Sequence, residues 1–197
     1  MEPEKQKALV IEEYGKNPVV KEVDVPKLAA GEVLVKMDGT TVNPSDRLLL
    51  GGLEFNRPLP AVAGIEGSGR VVKAEGEDVQ KWVGKRVSFI TQNTGTWANY
   101  VATTPFLMFE IDEDVPLQSA VSGVVNPCTV IGMIEILKEK KLKGIIHTAA
   151  ASSLGRMLNK VCIKEGIPLL NIVRKEEHEK TLKSEGAEHV LVTQGDW

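Results

Sequence analysis

Between Gly144 and Met157 the chain reads Gly-Ile-Ile-His-Thr-Ala-Ala-Ala-Ser-Ser-Leu-Gly-Arg-Met. A short apolar run, a turn of the smallest side chains and helical spacing follow one another. That order suits chemistry done by the backbone, because only residues with little side chain let a diphosphate rest on the N–H groups at a helix N-terminus. Ala149, Ala150, Ala151, Ser152, Ser153 and Gly155 supply the smallness, and Ala150, Ser152, Ser153, Leu154 and Gly155 are the candidate contacts. Ala149 and Ser152 stand where such turns usually carry glycine, and a strand-helix-strand packing unit without phosphate is the alternative. Farther on, the run 168–173 reads as a second strand that ends in Val173-Arg174-Lys175. At such a strand tip a carboxylate bonds a ribose 2′-hydroxyl, whereas cations accept a 2′-phosphate. Arg174 and Lys175 therefore favour NADP over NAD. The competing reading is that they only solvate the next helix beside Glu176, Glu177 and Glu179.

These residues need elements to position them. Leu154, Met157, Leu158, Val161 and Cys162 recur at helical spacing and face a sheet, and Glu165-Gly166 closes that helix. Up to about residue 114 the texture is β: runs at 8–11, 19–25, 33–37, 70–72, 87–90 and 97–102 are short, partly alternating and mostly separated by Gly or Pro. A barrel-like or sandwich domain with one short helix over 45–50 is expected. The spacing then predicts a helix over 117–124 and a second one N-capped by Asn126 with Pro127 at its first position. Cys128, Val130, Ile131, Ile134 and Leu137 form the apolar face of that second helix. The fold class is thus α/β with a β-rich domain, divided into 1–122 and 123–197.

Composition narrows the function classes. The 197 residues are 42% apolar and 26% charged with a net charge of −3, and cations alternate with carboxylates, so no basic stripe for nucleic acid exists. No apolar run approaches the roughly eighteen residues of a membrane span, and Met-Glu-Pro-Glu-Lys is neither a secretory nor an Arg-rich transit signal. A cytoplasmic protein follows by default. Cys128 and Cys162, the two cysteines, are expected as buried reduced thiols. His147 is expected as a satisfied core histidine, His178 on a helix surface and His189 at a strand entry.

Five segments in order, Val42-Asn43-Pro44-Ser45-Asp46, Ala63-Gly64-Ile65-Glu66-Gly67-Ser68-Gly69, Gly84-Lys85-Arg86-Val87, Gly95-Thr96-Trp97-Ala98-Asn99-Tyr100 and Val125-Asn126-Pro127-Cys128-Thr129, carry a further reading. With them the chain resembles the medium-chain dehydrogenase/reductase superfamily, in its zinc-independent quinone oxidoreductase-like branch. The resemblance implies a GroES-like catalytic domain followed by a partial Rossmann domain for NADP(H). It implies catalytic roles for Asn43 and Asp46 near the nicotinamide, with helix capping as their structural alternative. It implies cofactor contacts from Asn126 and Thr129, again against capping. The glycines of Gly64 to Gly69 are expected to bend a strand.

The alcohol dehydrogenase branch needs a Gly-His-Glu motif for zinc, and here Gly64-Ile65-Glu66 stands in its place, so no metal is expected. Hydride transfer to a quinone or an activated carbonyl or alkene is the implied reaction, with a small molecule as substrate. The related enoyl-thioester reductases use a tyrosine after the Asn-Pro segment, and Leu48-Leu49-Leu50 offers none, which disfavours that activity. A full doubly wound domain needs about twice the length that follows Gly144. The resemblance is thus to a C-terminally truncated member, Gly195-Asp196-Trp197 reading as an interruption. An apolar first strand would be left bare to recruit a homo-oligomer or a partner chain. A reductase fragment, an inactive relative acting as an assembly subunit, and a fold completed by a second polypeptide are the three readings.

Overall fold

The computed structural model describes residues 2–53, 57–91 and 94–193; the Gly195-Asp196-Trp197 segment lies outside them. Two compact units divide the chain, Met1–Val125 and Asn126–Trp197.

In the first unit, a five-stranded antiparallel sheet runs in the order β7 (Tyr100–Thr103), β3 (Val33–Thr40), β5 (Glu66–Ala74), β6 (Arg86–Ile90), β8 (Met108–Glu110). Alternation of apolar side chains buries Val33, Val35, Val71, Val87, Phe89 and Val101 together, which makes this sheet the core of the unit. A smaller sheet orders β2 (Val19–Asp24), β1 (Lys5–Ile11) and β4 (Ala61–Val62). The short helix α1 (Pro44–Leu50) follows β3, and its Leu49 packs with Ile11, Ala63 and Ile65 in a second cluster. Gly64, at φ +92°, turns the chain from β4 into β5, and a side chain there would strike Trp97 and Thr96.

The expected helix over 117–124 is only one turn, α2 (Leu117–Ala120). Its C-terminal carbonyls find other partners: the Ala120 oxygen accepts the Ser88 hydroxyl at 2.6 Å and the Gly123 N–H at 3.1 Å. The following helix, α3 (Val125–Glu139), starts two residues earlier than the Asn-Pro signal suggests. Asn126 and Pro127 therefore lie inside its first turn, where proline costs no hydrogen bond.

In the second unit, three parallel strands are ordered β11 (His189–Val192), β10 (Leu169–Val173), β9 (Ile145–His147), the 3-2-1 half of a doubly wound sheet. Helix α4 (Ser153–Glu165) follows β9, and α5 (Glu176–Ser184) follows β10. Val130, Ile134, Leu158, Cys162 and Leu169 form one cluster, Ala150, Val173, Leu182 and Ala187 another. Cys128, expected to be buried, is exposed, as is Ile131. The buried face of α3 runs through Val130, Ile134 and Leu137, and a residue two positions before Val130 points about 200° away from it. His147 is not satisfied either: it is half-buried, its Nδ1 has no partner among the described residues, and burial holds its pKa below the usual imidazole value. Asn171 lies beside it in register, but gives its amide to Asn159 Oδ1 and to the His189 carbonyl instead. β9 is an edge of the described sheet, with Ile146 71% exposed. No described helix is long and apolar enough to cross a membrane.

The turn from β9 into α4 closes on Gly155, where a Cβ would lie 2.3 Å from the Ala150 carbonyl oxygen. Gly155→Ala is therefore expected to destabilise the second unit by about 1–2 kcal/mol, the crowding outweighing alanine's better helix propensity. Urea unfolding followed by circular dichroism measures it.

Candidate functional site

Two groups of residues carry the candidate chemistry, one in each unit. In the second unit, the C-terminal tips of the three parallel strands open into a cavity of about 570 Å³. Thr148, Ala149, Ala151, Ser152, Arg174 and His178 are among its walls. Ala149 holds a left-handed backbone at φ +52°, the conformation for which such turns usually recruit glycine. Ser152 caps α4, its hydroxyl oxygen accepting the Gly155 N–H at 3.2 Å. Ser153 and Leu154 open the helix, so their N–H groups have no acceptor within it and the positive end of the helix dipole lies there.

The structure thus brings Ser152 and Arg174 to one cavity, with Ser153 and Leu154 beginning the adjacent helix. It sets Ala150 and Gly155 apart from them. Both are buried, packed on each other at the base of the turn. Arg174 and Lys175 also part company. Arg174 lines the cavity and makes no ion pair among the described residues, whereas Lys175, at the N-cap of α5, lies 3.2 Å from Glu177. Thr148 and His178 complete the wall and were missed; their signal was adjacency to the strand and helix ends that form it. Asn126 and Thr129 lie in the first two turns of α3, the former half-buried and the latter exposed.

In the first unit, Asn43 caps α1 and is 9% exposed. Its backbone N–H donates to Asp46 Oδ2 at 2.6 Å. Its side-chain amide donates to Thr41 Oγ1 at 2.9 Å and to Glu66 Oε2 at 3.0 Å. Asp46 is 1% exposed and its second oxygen, Oδ1, has no partner among the described residues. Burial raises its pKa above the ordinary carboxylate value, opposed by the Asn43 N–H and the Arg57 charge and reinforced by the Glu66 charge. Glu66 was noticed only as part of a motif lacking histidine, yet it is the hub of this group. Fully buried, it accepts the Val124 and Val125 N–H groups on Oε1 at 2.7 Å each, with Asn43 and the Thr41 hydroxyl, the latter at 3.4 Å, on Oε2. Beside this group, an open apolar cavity of about 450 Å³ is lined by Leu9, Met37, Thr40, Val42 and Trp97. Among the described residues no set of three or more His, Cys, Asp or Glu side chains is placed to hold one metal ion.

Comparison with known proteins adds to this geometry. Residues 29–112 match the model of the alcohol dehydrogenase GroES-like domain. Curated relatives include the mitochondrial enoyl-[acyl-carrier-protein] reductases of Homo sapiens, 32% identical over 96% of this chain, and of Arabidopsis thaliana, 32% identical over 94%. A solved structure of a putative NADPH:quinone reductase from Mesorhizobium loti superposes with a TM-score of 0.89 at 29% identity, covering 99% of this chain. The chain belongs to the medium-chain dehydrogenase/reductase superfamily. Within that superfamily a mycobacterial protein solved with NADPH also matches, at 26% identity and a TM-score of 0.81 over 97% of this chain. The chain spans about half the length of the curated relatives, 53% of the human and 52% of the Arabidopsis protein. It covers 62% of the Mesorhizobium and 60% of the mycobacterial structure. The name of the curated relatives is the one the missing tyrosine argued against.

The raised pKa of Asp46 has a pH consequence. An acid whose folded pKa lies above its unfolded value, here near 3.8, binds its proton more tightly in the fold, so stability falls as pH rises from that value through the folded pKa. Asp46→Asn should remove this fall while keeping an oxygen for the Asn43 N–H. Urea midpoints at pH 4 and pH 7 should therefore differ less in the variant than in the parent protein.

Proposed function

We propose that the chain is the nucleotide- and acceptor-binding part of an NADPH-dependent, zinc-independent reductase that passes hydride to a quinone or an activated carbonyl or alkene. The observation that carries this reading is the cavity at the strand tips, lined by small side chains beside a helix N-terminus and by the Arg174 guanidinium, which makes no ion pair among the described residues. These residues fit a phosphorylated adenine nucleotide. Arg174 would hold a 2′-phosphate, and the N–H groups of Ser153 and Leu154 a diphosphate. NADPH, when bound, supplies the hydride. Asn43 and Asp46 are the proposed orienting groups on the acceptor side. The open apolar cavity lined by Thr40, Val42 and Trp97, next to Asn43 in the chain, would take the uncharged body of an acceptor.

The zinc-independent part of the reading draws on donor chemistry. Isoleucine at position 65 ligates nothing, and both oxygens of Glu66 are occupied by protein donors. A quinone acceptor is supported by the name of one relative, a putative NADPH:quinone reductase, and an activated alkene by that of the curated relatives, the enoyl-[acyl-carrier-protein] reductases. The cysteines are free, as a reducing compartment such as the cytosol would keep them. A second reading, an inactive assembly subunit, is favoured by the exposed edge of β9 at Ile146, which suits a second copy or another chain.

Arg174→Ala should weaken NADPH binding about tenfold or more and NADH hardly at all, since a charge-assisted phosphate contact is worth roughly 1.5–3 kcal/mol. Lys175→Ala, which breaks a contact to Glu177 instead, should change either affinity by less than about twofold, as exposed pairs contribute little. Fluorescence titration with both nucleotides decides. Equal losses for NADPH and NADH in the Arg174 variant would reject the assignment.

A further inference from the structure

Glu66 is a fully buried carboxylate in the middle of the first unit with four donors and no cation among them. Two of those donors are the N–H groups of Val124 and Val125, the entry to α3, at 2.7 Å each. The third is the side-chain amide of Asn43, and the fourth the hydroxyl of Thr41, which itself accepts from Asn43. The main chain of Glu66 is fixed as well, its carbonyl accepting the Thr40 hydroxyl at 2.6 Å and the Thr41 N–H at 3.4 Å.

A carboxylate is the one side chain that serves this arrangement. It offers two oxygens and no donor, so it can face N–H groups on both sides. Glutamine would turn an NH₂ group toward one pair of donors whichever way it lay. A negative charge at the start of α3 is also favourable toward the helix dipole. The same carboxylate therefore ties two segments far apart in sequence: the β3-to-α1 connection that carries Asn43, and the Val124-Val125 main chain where α3 begins.

From this geometry we infer that Glu66 is the positioning residue of the reductase: it sets the orientation of the Asn43 amide and the start of α3 without itself touching cofactor or acceptor. The inference rests on the function proposed above for Asn43 and on the cofactor contacts that the resemblance implies for Asn126 and Thr129. Replacing Glu66 should affect NADPH and NADH alike, since the Asn43 amide that it holds is expected near the nicotinamide, which the two share, and not near the 2′-phosphate.

Amide hydrogen exchange by NMR and nucleotide titration on the full chain test it together. In Glu66→Gln the Val124 and Val125 amides should exchange at least tenfold faster and the Asn43 side-chain amide resonances should shift, while the amides of β10 and α4 keep their protection. Affinities for NADPH and NADH should fall by the same factor, about three- to tenfold. Glu66→Asp keeps the charge but is one methylene shorter. It should also speed exchange at Val124 and Val125, and serves if the glutamine variant does not fold. Unchanged exchange at these two amides in a folded variant, or a loss confined to NADPH, overturns the inference. If the unaltered chain binds neither nucleotide, the functional reading fails by itself; a positioning role in the reductase falls with it, while the exchange data still decide whether Glu66 anchors α3.

Discussion

The second unit depends on how closely backbone can approach backbone where β9 becomes α4. A Cβ at position 155 would sit 2.3 Å from the Ala150 carbonyl oxygen, and Ala149 takes a left-handed conformation at φ +52° to make the turn. That tight passage brings the first N–H groups of α4 to the strand tips, where the cavity with Arg174 opens. A longer path would carry the helix dipole away from that cavity. Ala149 costs about 1–2 kcal/mol in that conformation, so the turn is held by its surroundings: Ala150 fully buried, Val173 beside it, and the Ser152 cap on Gly155.

The first unit rests on a different constraint, the satisfaction of buried charge. Glu66 has every oxygen accepting, whereas Asp46, linked to it through two hydrogen bonds of Asn43, leaves Oδ1 without a partner among the described residues. Two buried carboxylates sharing one asparagine therefore differ in kind. One anchors main chain, and the other is held toward protonation by its burial.

Much of this was legible in the sequence because local pattern and tertiary need agree. Strands alternating around Val33, Val71 and Val87, a helix begun by Asn43-Pro44 and a small-residue turn before Leu154 each carry their own signal. The helix over 117–124 failed because its carbonyl at Ala120 is claimed by Ser88, a partner 32 residues away that no local window contains. Cys128 and Ile131 were placed inside because an apolar helix does not say which stripe of it will be buried. Glu66 was invisible for the same reason as Ser88: its donors come from residues 23 and 58 positions distant. The split between Arg174 and Lys175 likewise depends on which of two neighbours finds Glu177.

The central claim, that the cavity at the tips of β9, β10 and β11 recognises a 2′-phosphorylated adenosine, can be tested with no acceptor and no nicotinamide. Isothermal titration of the chain with adenosine 2′,5′-bisphosphate and with AMP isolates that contact. The account predicts that the bisphosphate binds at least about tenfold more tightly, and that Arg174→Ala abolishes the difference. Equal affinities for the two ligands, or a preference that survives loss of Arg174, would contradict it.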